Sequence, residues 1–189
     1  MKKIAITTFL LMAVSITAQG RRANQSAAQI AYGIMPDAEK SQGNSFMLKA
    51  GYSRVIGERG FLGKAEAFYQ KFGVGYIDEQ ILPYQKIGIS AQAGWSFENL
   101  SPFFLNIYLG GFAGHETVNK GETKDLLYQA QIPKKIKGMT YGINGGVEAE
   151  LIMYKNISIT VDYSQYYDLK SKFSETSYAV FGGLKFYFN

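Results

Sequence analysis

Apolar and polar positions alternate with a period of two over several stretches of this chain, the mark of strands with two unlike faces. The pattern is clearest over residues 86–95. There Ile87, Ile89, Ala91, Ala93 and Trp95 face one way, and Lys86, Gly88, Ser90, Gln92 and Gly94 the other. Over residues 140–151, Tyr141, Ile143, Gly145, Val147, Ala149 and Leu151 share a face. Thr140, Gly142, Asn144, Gly146, Glu148 and Glu150 make its opposite. Residues 157–163 set Ile157, Ile159, Val161 and Tyr163 against Ser158, Thr160 and Asp162. Weaker alternation marks residues 25–35, 45–55, 61–72, 103–114 and 177–188. The pattern predicts eight strands, an even number, as single-chain bacterial membrane barrels have.

The connections between these strands follow a rhythm. Three are short, at residues 56–60, 97–102 and 152–156. Four are longer, at residues 36–44, 73–85, 115–139 and 166–175, the third being the longest. Tyr76 to Leu82 could extend the fourth strand at the cost of its loop. Short periplasmic turns alternating with long external loops are the plan of an outer-membrane barrel. A soluble β-sandwich or a lipocalin-like barrel is the alternative, with the apolar faces turned inward. Glycines on the polar face, at Gly88, Gly94, Gly110, Gly142 and Gly146, suit a narrow barrel interior better than a solvated surface. The expected fold is therefore all-β: an eight-stranded antiparallel transmembrane β-barrel of the outer-membrane type.

The two ends agree with that reading. Lys2 and Lys3, an apolar run over residues 4–16 and the small-residue site Ile16-Thr17-Ala18 read as a secretory signal peptide, residues 1–18. The barrel domain is then residues 19–189. The chain closes on Gly183-Leu184-Lys185-Phe186-Tyr187-Phe188, in which Gly183, Phe186 and Phe188 look like an outer-membrane sorting signal. No second apolar stretch has the length of a transmembrane helix. Outer-membrane localisation after signal-directed export is expected.

Composition narrows the chemistry. The absence of cysteine excludes disulfides and thiolate chemistry, and a single histidine, His115, excludes a multi-histidine metal site. The net charge of +5 is too small to argue for nucleic acid. Aromatics at 15% and 21 glycines suit short, curved, closely packed strands. No cofactor, metal or small-molecule substrate is expected.

An eight-stranded barrel is filled by its own side chains, so charges on its inner face must pair. Lys49, Lys64, Glu66, Lys86, Glu148, Glu150, Asp162 and Lys185 fall on that face. They read as an ion-paired plug, or alternatively as a gated proton or ion path. Trp95, Phe97, Phe103, Tyr154, Phe186 and Phe188 gather near periplasmic strand ends, as an interfacial aromatic girdle does. His115, with Glu116 and Thr117 behind it, invites a lipid-modifying enzyme reading, set against an ordinary histidine at a loop base. The apolar residues of the long loop, Leu126, Leu127, Tyr128, Ile132 and Ile136, mark either a partner site or a cover over the barrel mouth.

Several segments resemble the conjugal transfer protein TraO family of Bacteroidetes conjugative transposons. They are Ala65-Glu66-Ala67-Phe68-Tyr69-Gln70-Lys71-Phe72 with Ile81-Leu82-Pro83, Ala113-Gly114-His115-Glu116-Thr117-Val118-Asn119, Gly146-Val147-Glu148-Ala149-Glu150-Leu151, and the close of the chain from Gly183. The resemblance implies a non-catalytic outer-membrane component of a mating apparatus, contacting lipid and other conjugal transfer proteins. Nothing in spacing or composition itself points to conjugation. A general small barrel for surface interaction or envelope integrity, and the lipid-modifying enzyme, remain the other readings.

Overall fold

The structure, a computed structural model, describes residues 24–36, 45–56, 60–75, 81–97, 102–122, 124, 136–171 and 173–188. The expected signal peptide, residues 1–18, lies outside them. Eight strands account for most of what is described: β1 (Ser26–Ile34), β2 (Phe46–Ile56), β3 (Phe61–Gly75), β4 (Ile81–Phe97), β5 (Phe103–Val118), β6 (Lys137–Tyr154), β7 (Ile157–Asp168) and β8 (Thr176–Phe188). Each pairs antiparallel with the next, and β1 pairs with β8, closing the sheet into a barrel with no free edge. The fold is thus a closed eight-stranded barrel and not a sandwich.

The register fixes the barrel's shape. From Phe61, successive partners around the sheet are Trp95, Ile107, Val147, Tyr163, Val180, Ile34 and Phe46, returning to β3 at Lys71. The circuit closes ten residues further along the same strand. At about 3.3 Å per residue and about 4.8 Å between strands, that stagger sets a strand tilt of about 40° and a backbone radius of about 8 Å. Each residue then rises about 2.5 Å along the axis, so Phe61 and Lys71 lie about 25 Å apart in height. That is the height of an outer-membrane barrel's apolar band.

Burial alternates along every strand, and its sense is inside-out for a water-soluble protein. In β7, Ile157, Ile159, Val161, Tyr163 and Tyr167 are exposed, whereas Ser158, Thr160, Asp162, Ser164 and Asp168 are buried. Leu109 is 68% exposed and its neighbour Tyr108 only 4%. An apolar side chain gains nothing from facing water at such exposure, but everything from facing lipid. The sequence-predicted girdle, Trp95, Phe97, Phe103, Tyr154, Phe186 and Phe188, is exposed at the turn end. A second belt lies near the loop end, where Tyr32 stacks on Phe46 (6.0 Å between centroids) and Phe46 meets Tyr69 (6.1 Å).

Five strands run past their expected loop-end limits, β3 among them, which continues to Gly75 rather than Phe72. β4 begins at Ile81 rather than Lys86, β5 continues to Val118, β6 begins at Lys137, and β7 continues to Asp168. The loops shrink accordingly. Beyond the hydrocarbon polar residues such as Gln85 and Thr117 turn outward and apolar Leu82, Tyr84 and Val118 turn inward, so the apolar alternation fades while the backbone pairing continues. β5 ends where Asn119, Lys120 and Gly121 adopt left-handed φ of 48°, 55° and 80° in a single 3-10 turn. As a result β3 to β6 span 15 to 18 residues, and β7, β8, β1 and β2 only 9 to 13. The barrel has a tall wall and a short wall, differing by roughly 10 Å at the loop end.

Candidate functional site

The bore is where the strands bring distant polar side chains together. Lys49, Lys64, Glu66, Lys86, Glu148, Glu150, Asp162 and Lys185 all point into it, and none is more than 5% exposed. Near the turn end, Glu148 accepts from Lys64 Nζ (3.2 Å), from Asn106 Nδ2 (2.8 Å) and from Lys185 Nζ. Glu150 accepts from Lys185 Nζ (3.0 Å) and from the Tyr187 hydroxyl. One level higher, Glu66 takes Lys64 (3.1 Å), the Gln29 amide (2.6 Å) and the Gln92 amide (3.2 Å). Lys49 Nζ donates to Asp162 Oδ2 (2.5 Å) and to Ser164 Oγ (3.0 Å), and lies 3.9 Å from Glu66.

Above this layer the bore turns aromatic. Phe68, Phe112 and Tyr166 pack ring against ring, with centroids 5.4 to 6.0 Å apart. Phe181, Met47, Met35, Ala31 and Ala179 complete the cluster. The layer's borders are cationic: Lys49 Nζ sits 3.7 Å from the Phe181 centroid, and Lys86 Nζ 4.4 Å from that of Phe112. Gly88 makes room for it, because a Cβ there would stand 2.6 Å from Phe68 Cζ. Across the sheet, the Asn144 amide and the Tyr166 hydroxyl, cross-strand neighbours, are buried with no hydrogen-bond partner among the described residues.

A third polar layer lies toward the loops. Lys86 Nζ bridges both Asp168 oxygens (2.6 and 2.9 Å), and the Thr140 hydroxyl donates to the same carboxylate. Glu116 accepts from the Tyr84 hydroxyl (3.1 Å) and the Ser171 hydroxyl (2.9 Å). The mouth is then capped by apolar groups, with Leu82, Tyr84 and Val118 packed against Phe72, Val74, Ile136 and Phe173. The Phe173 ring, from the connection after β7, lies 5.0 Å from that of Tyr84.

Two interior acids escaped the sequence reading. Glu116 and Asp168 stand in strand extensions that read as loop, so the interior holds six strand carboxylates against four lysines, not four of each. Their parity with Gly114 and Ser164 was the available signal. His115 lies near the outer end of β5, half-buried on the outward face opposite Ile87 and Met139, with the loop beginning only beyond Val118. Of the long loop's apolar residues, Ile136 covers the mouth, and Leu126, Leu127, Tyr128 and Ile132 lie outside the described residues. In β8, Phe186 and Phe188 face outward and Gly183 inward.

Charge sorts by face with one rule. Every carboxylate of the described strands, Glu66, Glu116, Glu148, Glu150, Asp162 and Asp168, points inward. The charges that strands turn outward are all positive: Arg54 near the turn end, and Lys71 and Lys137 near the loop end. Arranged this way, the interior can hold charge and exclude a wide water column, and the exterior can sit in a bilayer.

No family model matches this chain, and neither does any curated protein. Solved structures do. The outer membrane protein OprG from Pseudomonas aeruginosa is 10% identical with a TM-score of 0.57, over 91% of this chain and 99% of that one. Ail, the attachment invasion locus protein of Yersinia pestis, in complex with the heparin analogue sucrose octasulfate, is 14% identical with a TM-score of 0.56, over 88% of this chain and 100% of that one. The N-terminal β-barrel domain of Pseudomonas aeruginosa OprF is 12% identical with a TM-score of 0.52, over 88% and 100%. At such identities the likeness is one of fold: this is a small barrel of the outer-membrane type.

Proposed function

We propose that the chain is a non-catalytic outer-membrane barrel that serves the cell surface, through envelope integrity or external contacts, and that it reaches the membrane by the signal peptide at residues 1–18. The observation that carries this reading is the sidedness of the wall. An apolar, carboxylate-free exterior is suited to lipid, and a paired, aromatic-blocked interior is suited to closing the bore. The bore residues bond to one another and to the wall, which favours a stiffening plug over an ion path. His115 faces outward between Ile87 and Met139, neither of which can orient a catalytic base. Ail was crystallised with a polysulfated heparin analogue, and its shared architecture makes external contact the nearer of the two surface roles.

Deleting the gene and measuring detergent sensitivity and surface adherence tests the proposal, with a chromosomal copy as control. Loss of either property, restored by the copy, supports it. A single-channel conductance from the purified barrel in planar bilayers would overturn the closed bore.

A second reading, a part of a conjugative mating apparatus, is supported by the segment resemblances around residues 65–72, 113–119 and 146–151. Mating frequency from a donor lacking the gene tests it. An unchanged frequency removes it and leaves the first reading in place.

A further inference from the structure

We infer that the tall wall carries a binding site for phosphorylated lipid of the external leaflet, with Lys71, Lys137 and Lys170 contacting the lipid phosphates. This inference rests on the membrane reading above.

The site follows from register and charge. Lys71 on β3, Gln85 on β4, Thr117 on β5 and Lys137 on β6 are successive partners in the sheet, all pointing outward. They cross four adjacent strands, about 14 Å of sheet. Lys170 joins them from the connection after β7. Its backbone N–H donates to Tyr141 O (3.3 Å), and its Nζ stands 5.9 Å from the outward-facing Tyr141 ring. The arc therefore offers three ammonium groups with amide and hydroxyl groups between them, the set of donors that phosphate oxygens take.

Depth identifies the occupant. The aromatic belt of Phe46, Tyr69 and Tyr141 marks the upper limit of hydrocarbon. By the tilt derived above, Lys71 lies a few ångströms above Tyr69 and Lys137 about 10 Å higher than Lys71. Groups at that height, facing sideways, meet headgroups rather than acyl chains or a soluble partner. Their sign fits as well, since the described strands turn no carboxylate outward and the exposed acids Glu122 and Glu175 lie in the connections. The short wall differs at the same level. Its described strands turn Tyr167, Tyr178 and Thr176 outward and no charge, the exposed Glu175 standing in the connection after β7. The lipid is thus held on one side of the barrel.

The test uses the full mature barrel and a triple variant, Lys71→Gln with Lys137→Gln and Lys170→Gln. Each is folded into phosphatidylcholine nanodiscs containing a minority of diphosphoryl lipid A, then extracted into mild detergent and weighed by native mass spectrometry. The wild type is expected to retain lipid A, and the variant at least about tenfold less. The Lys→Arg triple should retain it, and fully dephosphorylated lipid A should be lost by all. Equal retention by wild type and the Gln variant, or retention by neither, overturns the site. So does displacement of lipid A by millimolar inorganic phosphate, which would mean a soluble-anion site. Both proteins should give the same heat-shifted folded band from phosphatidylcholine alone. If the wild type fails to insert at all, the membrane reading falls instead.

Discussion

Val147 and Glu148 are consecutive residues of β6, and they live in opposite solvents. Val147 is 42% exposed on the outer face, and Glu148 is 2% exposed among lysines. The outer face is held by non-directional burial in lipid, where many apolar side chains would serve. The inner face is held by directed bonds, in which each carboxylate has particular donors. A membrane barrel thus concentrates its specificity inside and its tolerance outside, the reverse of a soluble domain's division.

The largest expected effect is at Glu148. Glu148→Leu leaves the Lys64 and Lys185 ammonium groups facing each other without their shared carboxylate. A loss of about 3–5 kcal/mol is expected in urea unfolding from lipid vesicles. The double change Glu148→Leu with Lys64→Met should recover part of it, because Lys185 keeps Glu150 and Glu66 keeps Gln29, Gln92 and Lys49. An undisturbed single variant would end the claim that the inner face is specific. Val147→Arg, one residue away, should cost about 2–4 kcal/mol by placing charge against hydrocarbon, while Val147→Leu should change little. A costly Val147→Leu would show that the outer face packs against something more demanding than lipid. Gly88→Val should lose about 1–3 kcal/mol, since the new side chain meets the Phe68 ring and the Ala113 carbonyl, each 2.6 Å from its Cβ. Phe173→Ala is the mildest. About 1 kcal/mol is expected, and hydrogen exchange should quicken in residues 169–175 while the lower network stays protected.

This division explains what could be read in advance. β4, β6 and β7 were plain in the sequence because their inward residues are small or polar, as in Ser90, Asn144 and Thr160. β3, β5 and β8 alternated weakly because Phe68, Phe112 and Phe181 turn inward into the aromatic layer. An apolar residue on the polar face blurs a period of two, and no single strand announces that three such residues will meet. The eight interior charges were legible by parity alone. Glu116 was not, because it stands between His115 and Thr117, which give little contrast, and Asp168 was not, because Gln165 interrupts the apolar outer face of β7 before Tyr167 resumes it. Partners such as Asn106 and Thr140 depend on which strands close the ring, which local pattern does not encode.

The unequal walls give the molecule a front and a back. A cylinder with a level rim presents the same profile to every neighbour in the leaflet, and can spin about its axis without consequence. A bevelled one cannot. β3 to β6 stand above the surface like a raised collar on one side, and β7, β8, β1 and β2 end near the belt on the other. Whatever approaches sideways along the membrane meets a tall backbone-stiffened sheet from one direction and, among the described residues, a lower one from the other. Rotation about the membrane normal then becomes a coordinate that neighbours can sense, so crowding alone would orient these barrels relative to one another.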